Sequence, residues 1–406
     1  MTNYPSEPLN ILHAIDFKRM YPVVSCQVQL TGRIDLNRLK QAVLLTAQVE
    51  PLLFSRYHRS QNEWVSLPLN ADQVVIEVAD TTNLLDPNMK IDWENDVQLK
   101  IFVSHPEAGD QLGIYISHIM TDGGGFKQYL RLLSATYTKL TINSTLHNNP
   151  SIANLTHAIM NSEPSGSHSD HPQNVLELPI DDQPGTRSFV GHVETTTAEL
   201  KKLIIWSKRQ GVTINDLLMG AFIYRLRHYN NFDDIALACP TDMRNFMSQQ
   251  TEQSLRIGNL TSRYNPNFKV LESDDLTTVI QTVHQEMSDL KTQRQCFDSI
   301  RDLLTNVDSK SLPELWEIVE ANYHVRPIGY TNMGVIDDDC LHFGDLTTKT
   351  AFINGSFRTA PMFQMATSTF HQQISLTFNM IGSQTAYQQG LDFLQEVKQA
   401  LLSLIK

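Results

Sequence analysis

The sequence lacks the patterns that mark several common classes of protein. Its four cysteines, Cys26, Cys239, Cys296 and Cys340, lie far apart and form no C-x-x-C pair. Zinc ribbons and thioredoxin-like redox sites need such pairs, so the spacing excludes both classes of site. A disulfide framework is not expected either, because the chain has 406 residues and shows no export signal. We therefore predict reduced and mostly buried thiols.

Long apolar runs and an excess of positive charge are missing too. No run approaches the roughly 20 apolar residues that cross a bilayer, and the first ten residues resemble no signal peptide. We therefore expect a cytoplasmic protein with no membrane span. Acidic side chains number 44 against 32 basic ones, which gives a formal net charge of −12. This balance argues against a nucleic-acid partner, because phosphate backbones are bound through basic surfaces.

Apolar periodicity predicts strands and helices that alternate along both halves of the chain. The predicted strands lie at 23–30, 52–57, 64–67, 97–104, 111–117, 188–193, 235–239, 328–332 and 373–379, and the predicted helices at 35–50, 126–140, 196–209, 217–229, 276–294, 313–323 and 386–404. Asn, Ser, His, Asp and Pro are frequent in the stretch between the halves, and residues 161–170 have no apolar periodicity. We therefore predict an α/β protein with an N-terminal lobe (1–145), a crossover connection (146–187) and a C-terminal lobe (188–406).

The sharpest local feature is the sequence S-H-I-M-T-D-G-G-G at residues 117–125. His118 follows an apolar strand, and an imidazole with an ordinary pKa of about 6.5 is able to accept a proton near neutral pH. Asp122 is spaced to orient the histidine or to anchor the loop through a cation. Gly123 and the next two glycines allow a close backbone approach, so their amides are candidates to face a developing oxyanion.

Two other interpretations of these residues stay open from spacing alone. A histidine followed four residues later by an aspartate occurs often by chance, without any chemistry. The same spacing also suits a metal pair on a helix, but the strand before and the glycines after disfavour a helix here, and no third ligand is near. We therefore expect no metal.

Residues 117–125 resemble the H-H-x-x-x-D-G signature of an acyltransferase superfamily. It includes peptide-synthetase condensation domains, chloramphenicol acetyltransferase, polyketide-associated acyltransferases and alcohol acyltransferases. Later segments resemble motifs of the same superfamily, in the same order, and the resemblance covers roughly residues 115–380. These segments are G-V-T-I-N-D at 211–216, P-T-D-M-R at 240–244, Y-T-N-M-G at 330–334 and the strand at 373–379.

The resemblance implies two chloramphenicol acetyltransferase-like lobes, each a mixed sheet flanked by helices, with an active-site tunnel between them. It implies that His118 is the general base, which deprotonates an acceptor that attacks a thioester carbonyl. Asp122 is then structural, turned away from the substrate and paired with Arg244, while Gly123 and its neighbours place amides near the reacting carbonyl. Asn332 either lines the tunnel or binds the oxyanion, or it only closes a strand.

One position departs from the signature, because Ser117 replaces its first histidine. The resemblance implies that this position matters less than the second histidine, so activity is compatible with a serine here. The loss of an imidazole bears on acceptor choice and loop geometry. Ser117 is not expected to be a nucleophile, because neighbouring strand residues point to opposite faces of the sheet.

The function implied is acyl transfer from an acyl-coenzyme A, or from a phosphopantetheine-linked acyl group on an acyl carrier protein, to an alcohol or amine. Such a protein holds no tightly bound cofactor. The late motifs favour an alcohol acceptor. Two alternatives remain: a stand-alone condensation enzyme that forms an amide between carrier-bound substrates, and an inactive binding protein with the same fold.

Three further groups of residues have simpler interpretations. Lys201, Lys202, Lys208 and Arg209 share one predicted helix and offer either a carrier-docking surface or a solvated face. Residues 337–339, three aspartates, favour a solvated turn over a cation site. His168 and His171 fall in the predicted flexible connection, and nothing in the sequence resembles a P-loop or a dinucleotide fingerprint.

Overall fold

The computed structural model describes residues 2–79, 91–166 and 171–406. In these residues the α-helices are α1 (Leu36–Thr46), α2 (Gly123–Lys139), α3 (Ala153–Met160), α4 (Thr197–Gln210), α5 (Ile214–Tyr229), α6 (Leu276–Thr292), α7 (Asp298–Asn306), α8 (Leu312–Tyr323) and α9 (Gln384–Ser403). The strands are β1 (Asn3–Pro5), β2 (Met20–Tyr21), β3 (Val23–Leu30), β4 (Ser55–His58), β5 (Glu63–Ser66), β6 (Val75–Glu77), β7 (Leu99–Ser104), β8 (Gln111–Ser117), β9 (His147–Asn148), β10 (Arg187–Glu194), β11 (Asp234–Ala236), β12 (Cys239–Asp242), β13 (Ser254–Leu255), β14 (Thr261–Tyr264), β15 (Asn267–Lys269), β16 (Ile328–Val335), β17 (Thr348–Asn354), β18 (Phe357–Thr359), β19 (Phe363–Phe370) and β20 (Gln373–Gly382).

Several helices begin where a side chain satisfies the unpaired backbone N–H groups at the N-terminus. At α4, Thr196 and Glu199 form a capping box, and Gly211 ends the helix with a φ of 69°. At α2, the carboxylate of Asp122 accepts a hydrogen bond from the amide of Gly125. Such caps depend on residues only three apart, so they are visible in the sequence. The prediction for α4 agrees with its observed start, whereas α2 begins at Gly123 and not at the predicted Phe126.

The first lobe is built on a five-stranded sheet in the order β17-β3-β8-β7-β6. Strand β8 lies antiparallel between β3 and β7, so its C-terminal end is held on both sides. Helices α1 and α2 contribute their apolar faces to the same core, with Leu39, Val43, Phe126 and Leu130 fully buried. The last residue of β8 and the first turn of α2 are thereby fixed relative to each other.

The second lobe is built on a sheet in the order β16-β19-β20-β18-β2, with β10 also paired to β20. Helices α5, α6 and α9 contribute to its core. The two sheets with their flanking helices confirm the predicted two-lobed α/β architecture. Among the residues described, no helix is long and apolar enough to cross a membrane.

The two lobes exchange segments, which the sequential division into lobes does not anticipate. Strand β17 comes from the C-terminal half but pairs antiparallel with β3 in the first sheet. In return, β2 pairs with β18 in the second sheet. The short 3₁₀ helix Pro8–His13 also packs into the second core through Leu9 and Leu12. Apolar patterning predicts elements, but it does not say which sheet a strand joins.

Other parts of the chain differ in detail from the sequence prediction. The strand predicted at 235–239 is two short strands, β11 and β12, which pair with β15 and β14 respectively. The connection contains helix α3, whose Leu155 and Ile159 are buried in the second core. Residues 167–170, including His168, lie outside the described residues.

Candidate active site

His118 lies at the point where β8 ends, and the backbone around it is held from several directions. Its amide donates to the carbonyl of Pro22 at 2.9 Å. The side-chain amide of Asn259, from the second half of the chain, donates to the carbonyls of His118 and Ile119 at 2.7 and 2.6 Å. Asn10 donates to Ile119 as well, at 2.7 Å. The loop that carries the histidine is therefore rigid.

The His118 imidazole lines a cavity between the lobes, together with Asp122, Gly123, Thr331 and Arg358 among others. Burial lowers the pKa of His118 below its ordinary value of 6.5, while the negative charge of Asp122 acts in the opposite direction. The Nδ1 atom of His118 is buried and meets no hydrogen-bond partner within the described residues. At neutral pH the ring is therefore uncharged and able to accept a proton.

A second histidine, which the sequence analysis missed, covers one face of this ring. His13 stacks on His118 with ring centroids 3.8 Å apart and an interplanar angle of 14°. Burial, reinforced by repulsion from His118, lowers the pKa of His13 well below 6.5. No local pattern marks His13, because it lies in an apolar stretch of the 3₁₀ helix at Pro8–His13 and meets His118 only through the tertiary fold.

Asp122 is turned into the protein and is bound on all sides. Its carboxylate accepts hydrogen bonds from the amides of Gly125 at 2.8 Å and Leu260 at 2.7 Å. Arg244 forms an ion pair with it at 2.9 Å and also donates to Asp242 at 2.9 Å. Burial opposes the positive charge of Arg244, but the two carboxylates outweigh burial and raise its pKa.

Arg244 also links two further parts of the loop that packs against α2. Its guanidinium donates to the carbonyls of Arg256 and Gly258 at 2.8 and 2.9 Å. The structure thus brings Arg244 to Asp122, in the arrangement that the resemblance implies. Asp122 is engaged in structural contacts and is 4% exposed, so it has little access to a substrate.

The glycines after Asp122 form the tightly packed first turn of α2. A Cβ atom on Gly123 would lie 2.8 Å from the sulfur of Met333, and one on Gly124 would lie 2.6 Å from a carboxylate oxygen of Asp242. The first backbone N–H groups of a helix have no acceptor within the helix. Because Gly123 lines the cavity next to His118, this turn is where a carbonyl oxygen would meet amide donors.

Asn332 and Ser117 are not brought into the cavity that His118 lines. Asn332 faces an adjoining groove shared with Gly123 and Lys127, donates to Asn215 at 2.7 Å and accepts from the amide of Gly334 at 2.8 Å. These contacts order the end of β16. Ser117 is fully buried, and its hydroxyl has no hydrogen-bond partner in the described part of the chain.

The remaining residues noted in the sequence lie on the surface. Asp337 forms an ion pair with Arg131 at 3.1 Å, and a carboxylate oxygen of Asp338 lies 3.0 Å from Nε2 of His371. His171 stacks on His324 with ring centroids 4.6 Å apart. The four basic residues of α4 are all exposed, and they are Lys201, Lys202, Lys208 and Arg209.

A family model, the condensation domain, matches residues 12–325 and so spans most of the chain, including the His118 loop and Arg244. The chain belongs to the condensation-domain family. No curated protein sequence matches this condensation-domain chain. Its structural relatives are known from solved structures, and at the identities found they show the fold alone.

Three of these solved structures indicate how widely the fold is used. Polyketide synthase associated protein 5 from Mycobacterium tuberculosis is 12% identical, with a TM-score of 0.69 over 99% of this chain and 97% of that one. The first condensation domain of the CDA synthetase is 11% identical, with a TM-score of 0.69 over 100% and 97%. The epimerization domain of the third module of tyrocidine synthetase B is 12% identical, with a TM-score of 0.64 over 98% and 93%.

The family supports a transferase at a coarse level, since condensation domains join substrates that carrier proteins hold. The relatives nevertheless include an epimerization domain, so one fold supports more than one reaction. The reaction of this chain has to be argued from its own site.

Proposed function

We propose that this condensation-domain protein transfers an acyl group from a thioester to an alcohol or amine, with His118 as general base. The observation that carries the proposal is the position of His118 on the cavity wall, beside the first turn of α2, with a pKa lowered by burial. A neutral imidazole next to the N-terminal turn of a helix suits nucleophilic attack on a carbonyl.

The chemistry follows from these two groups. The imidazole of His118 takes the proton from the acceptor O–H or N–H as the acceptor atom bonds to the thioester carbon. Negative charge then develops on the carbonyl oxygen, which the amides of the first turn of α2, at Gly123, are positioned to stabilise. Collapse of the intermediate breaks the C–S bond, and the leaving thiolate recovers the proton from the imidazolium. No metal or resident cofactor takes part in this scheme.

The donor in this proposal is either an acyl-coenzyme A or an acyl group on the phosphopantetheine of an acyl carrier protein. The exposed basic residues of α4 fit the second donor, because a basic patch complements the negative phosphate of the phosphopantetheine group. An alcohol acceptor is favoured by the late sequence motifs. An amine acceptor would make the protein an amide-forming condensation enzyme, and the His118 chemistry is the same for both.

The first experiment measures release of free thiol from acyl-coenzyme A donors in the presence of mixed alcohols and amines. We expect turnover with the wild-type protein and a loss of about 10²–10⁴-fold in the variant His118→Ala, which is the usual contribution of a general base. His157→Ala is the matched control, because His157 is an exposed histidine on α3. Equal turnover in all three proteins would remove His118 from the mechanism.

A second arm identifies the donor. Where coenzyme A thioesters give no turnover, the same assay is run with acyl carrier proteins. In that arm we expect the double variant Lys201→Glu, Lys208→Glu to raise KM for the carrier while kcat is retained. If neither donor is used, the protein is the inactive binding member of the fold, and the proposal fails.

A further inference from the structure

Two spaces meet at the first turn of α2: the cavity that His118 lines, and the groove beside it. The described residues that line both spaces are Asp122, Gly123, Pro240, Thr261, Thr331 and Met333. The groove also contains Asn332, which is exposed, so the groove reaches the surface of the protein. A substrate that crosses from the groove to His118 has to pass these six residues.

Met333 is the member of this shared wall whose side chain is able to move. Asp122 is held by Arg244 and by two backbone amides, and glycine has no side chain. Proline is a closed ring, and threonine is short and stiff because it is branched at Cβ. Methionine has three rotatable side-chain bonds and adapts to irregular space. The width of the passage therefore depends on the position of the Met333 thioether.

The side chain of Met333 lies across this passage. Its sulfur lies 2.8 Å, and its methyl carbon 3.8 Å, from the position of a Cβ atom on Gly123. The same methyl carbon lies 3.9 Å from the position of a Cβ atom on Gly355, which belongs to the loop between β17 and β18 and lines the cavity. The thioether thus reaches from the first turn of α2 to the β17–β18 loop, and the lack of side chains on these two glycines leaves room for it.

The backbone of Met333 is fixed, in contrast to its side chain. Strand β16 carries a bulge between Asn332 and Val335, and a bulge turns a side chain out of the regular alternation. Gly334 has a φ of 71°, which glycine adopts without strain. The side chain of Asn332 accepts from the amide of Gly334 at 2.8 Å, and Lys127 donates to the carbonyl of Met333 at 2.9 Å. These contacts hold the strand end in the position from which Met333 reaches across the passage.

We propose that Met333 obstructs the passage from the groove to His118 and thereby sets the width of the acyl group that the protein accepts. The inference rests on the proposed acyl transfer for the direction in which the donor enters, whereas the obstruction itself needs no turnover.

The direction of entry follows from the position of Gly123. This residue lines both spaces, and its turn is where a thioester carbonyl would meet amide donors. The acceptor lies on the side of His118, because His118 takes its proton. The arm that carries the thioester sulfur then extends through the groove to the surface. Since the acyl group is the leading end of such a donor, it passes Met333 before it reaches His118.

The first test measures access to His118 without any acyl donor. Diethyl pyrocarbonate modifies neutral imidazoles, and mass spectrometry of the peptide that contains His118 gives the rate. We expect Met333→Ala to raise this rate by about tenfold, which corresponds to an opening free energy of about 1.4 kcal/mol in wild type. Met333→Leu keeps the volume of the side chain, so the rate is expected to stay within about threefold of wild type. The exposed His157 serves as the internal reference in each protein.

Met160→Ala is the matched control for the first test, because Met160 is an exposed methionine on α3. It is expected to leave the rate at His118 unchanged. Met333→Val shortens the side chain and suits a strand, so it replaces Met333→Ala if that variant does not fold. Equal rates at His118 in wild type and in the shortened variant would overturn the inference, because Met333 would then obstruct nothing.

The second test compares two donors that carry isomeric acyl groups, hexanoyl and 2-ethylbutanoyl, on the same thiol. In wild type the kcat/KM for the linear group is expected to exceed that for the branched group. Met333→Ala is expected to lower this ratio by about tenfold, and Met333→Leu to preserve it. Differences in intrinsic reactivity cancel, because both donors are used with every protein. An unchanged ratio in Met333→Ala would also overturn the inference.

The two tests separate failure of this inference from failure of the proposed function. Faster modification of His118 in Met333→Ala, without turnover of any donor by any of the proteins, would contradict the proposed acyl transfer and leave the obstruction by Met333 standing. Turnover with an unchanged ratio and an unchanged rate of modification would support acyl transfer and remove Met333 from the control of specificity.

Discussion

The reactivity proposed for His118 depends on how little water reaches its ring. Burial is the largest cause of its lowered pKa, and the stacked ring of His13 provides part of that burial. A lowered pKa keeps the imidazole in its neutral form to a lower pH. Activity that needs the neutral form is therefore expected to persist as the pH falls to 6.5, the ordinary pKa of histidine, and to decline only below it.

Truncation of His13 tests this dependence on burial. In His13→Ala, water reaches the face of His118 that His13 covers, so the pKa of His118 rises toward 6.5. The acid limb of the kcat/KM profile therefore moves to higher pH. The measurement is thiol release from about pH 4.5 to 8. His157→Ala should leave the limb in place. An acid limb at the same pH in wild type and His13→Ala would show that His13 does not control the protonation of His118.

Some individual residues of the site are predictable from the sequence and others are not. His118, Asp122 and Gly123 lie within six residues, so their spacing alone marks them. Arg244 is recognised only through its resemblance to a known motif. His13 carries no local signal, because it meets His118 only through contacts between segments that are distant in the sequence.

The first turn of α2 is the element on which the site depends. A Cβ atom on Gly125 would lie 2.2 Å from the hydroxyl of Thr121 and 2.9 Å from the amide nitrogen of Gly258. Since Gly258 presents backbone there, the clash has no easy relief. Because it lacks side chains, this turn packs directly against the backbone of the second lobe.

We expect Gly125→Ala to lower the free energy of unfolding by about 1–3 kcal/mol, the usual cost of overpacking. Gly32→Ala is the matched control, because its new Cβ would meet only the flexible tip of Leu346 at 3.1 Å. The control is expected to stay within about 1 kcal/mol of wild type. Urea unfolding of the three proteins measures the difference, and equal midpoints would mean that the turn adapts easily.

The helices and strands that the sequence predicts are those whose patterns lie within a few neighbouring residues. Helices α4 and α5 begin at capping boxes, and β8 alternates apolar residues on one face, so sequence spacing indicates all three. The pairing of β17 with β3 depends on residues that are far apart along the chain. No spacing rule connects them, and the exchange between lobes is visible only in the structure.

At the scale of the whole molecule, partly buried histidines make stability depend on pH. Burial lowers the pKa of His192 and His324 to about 4, against about 6.5 in an unfolded chain. Between these values the unfolded chain binds more protons than the folded one. The free energy of unfolding therefore falls as the pH is lowered from about 6.5 to 4.

The variant His192→Gln isolates one of these groups. His192 stacks on Phe352 and has Nε2 3.0 Å from the hydroxyl of Ser375. We expect wild type to lose about 2 kcal/mol more than the variant between about pH 7 and 4.5, after allowance for partial exposure. Urea unfolding at several pH values measures the slope, and the exposed His157→Gln serves as control. If the free energy of unfolding falls with pH equally steeply in wild type and in His192→Gln, His192 does not contribute to the pH dependence of stability.

The exchange of strands between the lobes also has a consequence for how the protein is made. Strand β3 leaves the ribosome well before β17, which covers its outer edge. Until then the first sheet has an open edge, and such an edge pairs readily with other strands. In that interval the edge is open to pairing with another chain. The cavity is lined by residues of both lobes, so it takes shape only after both have been synthesised.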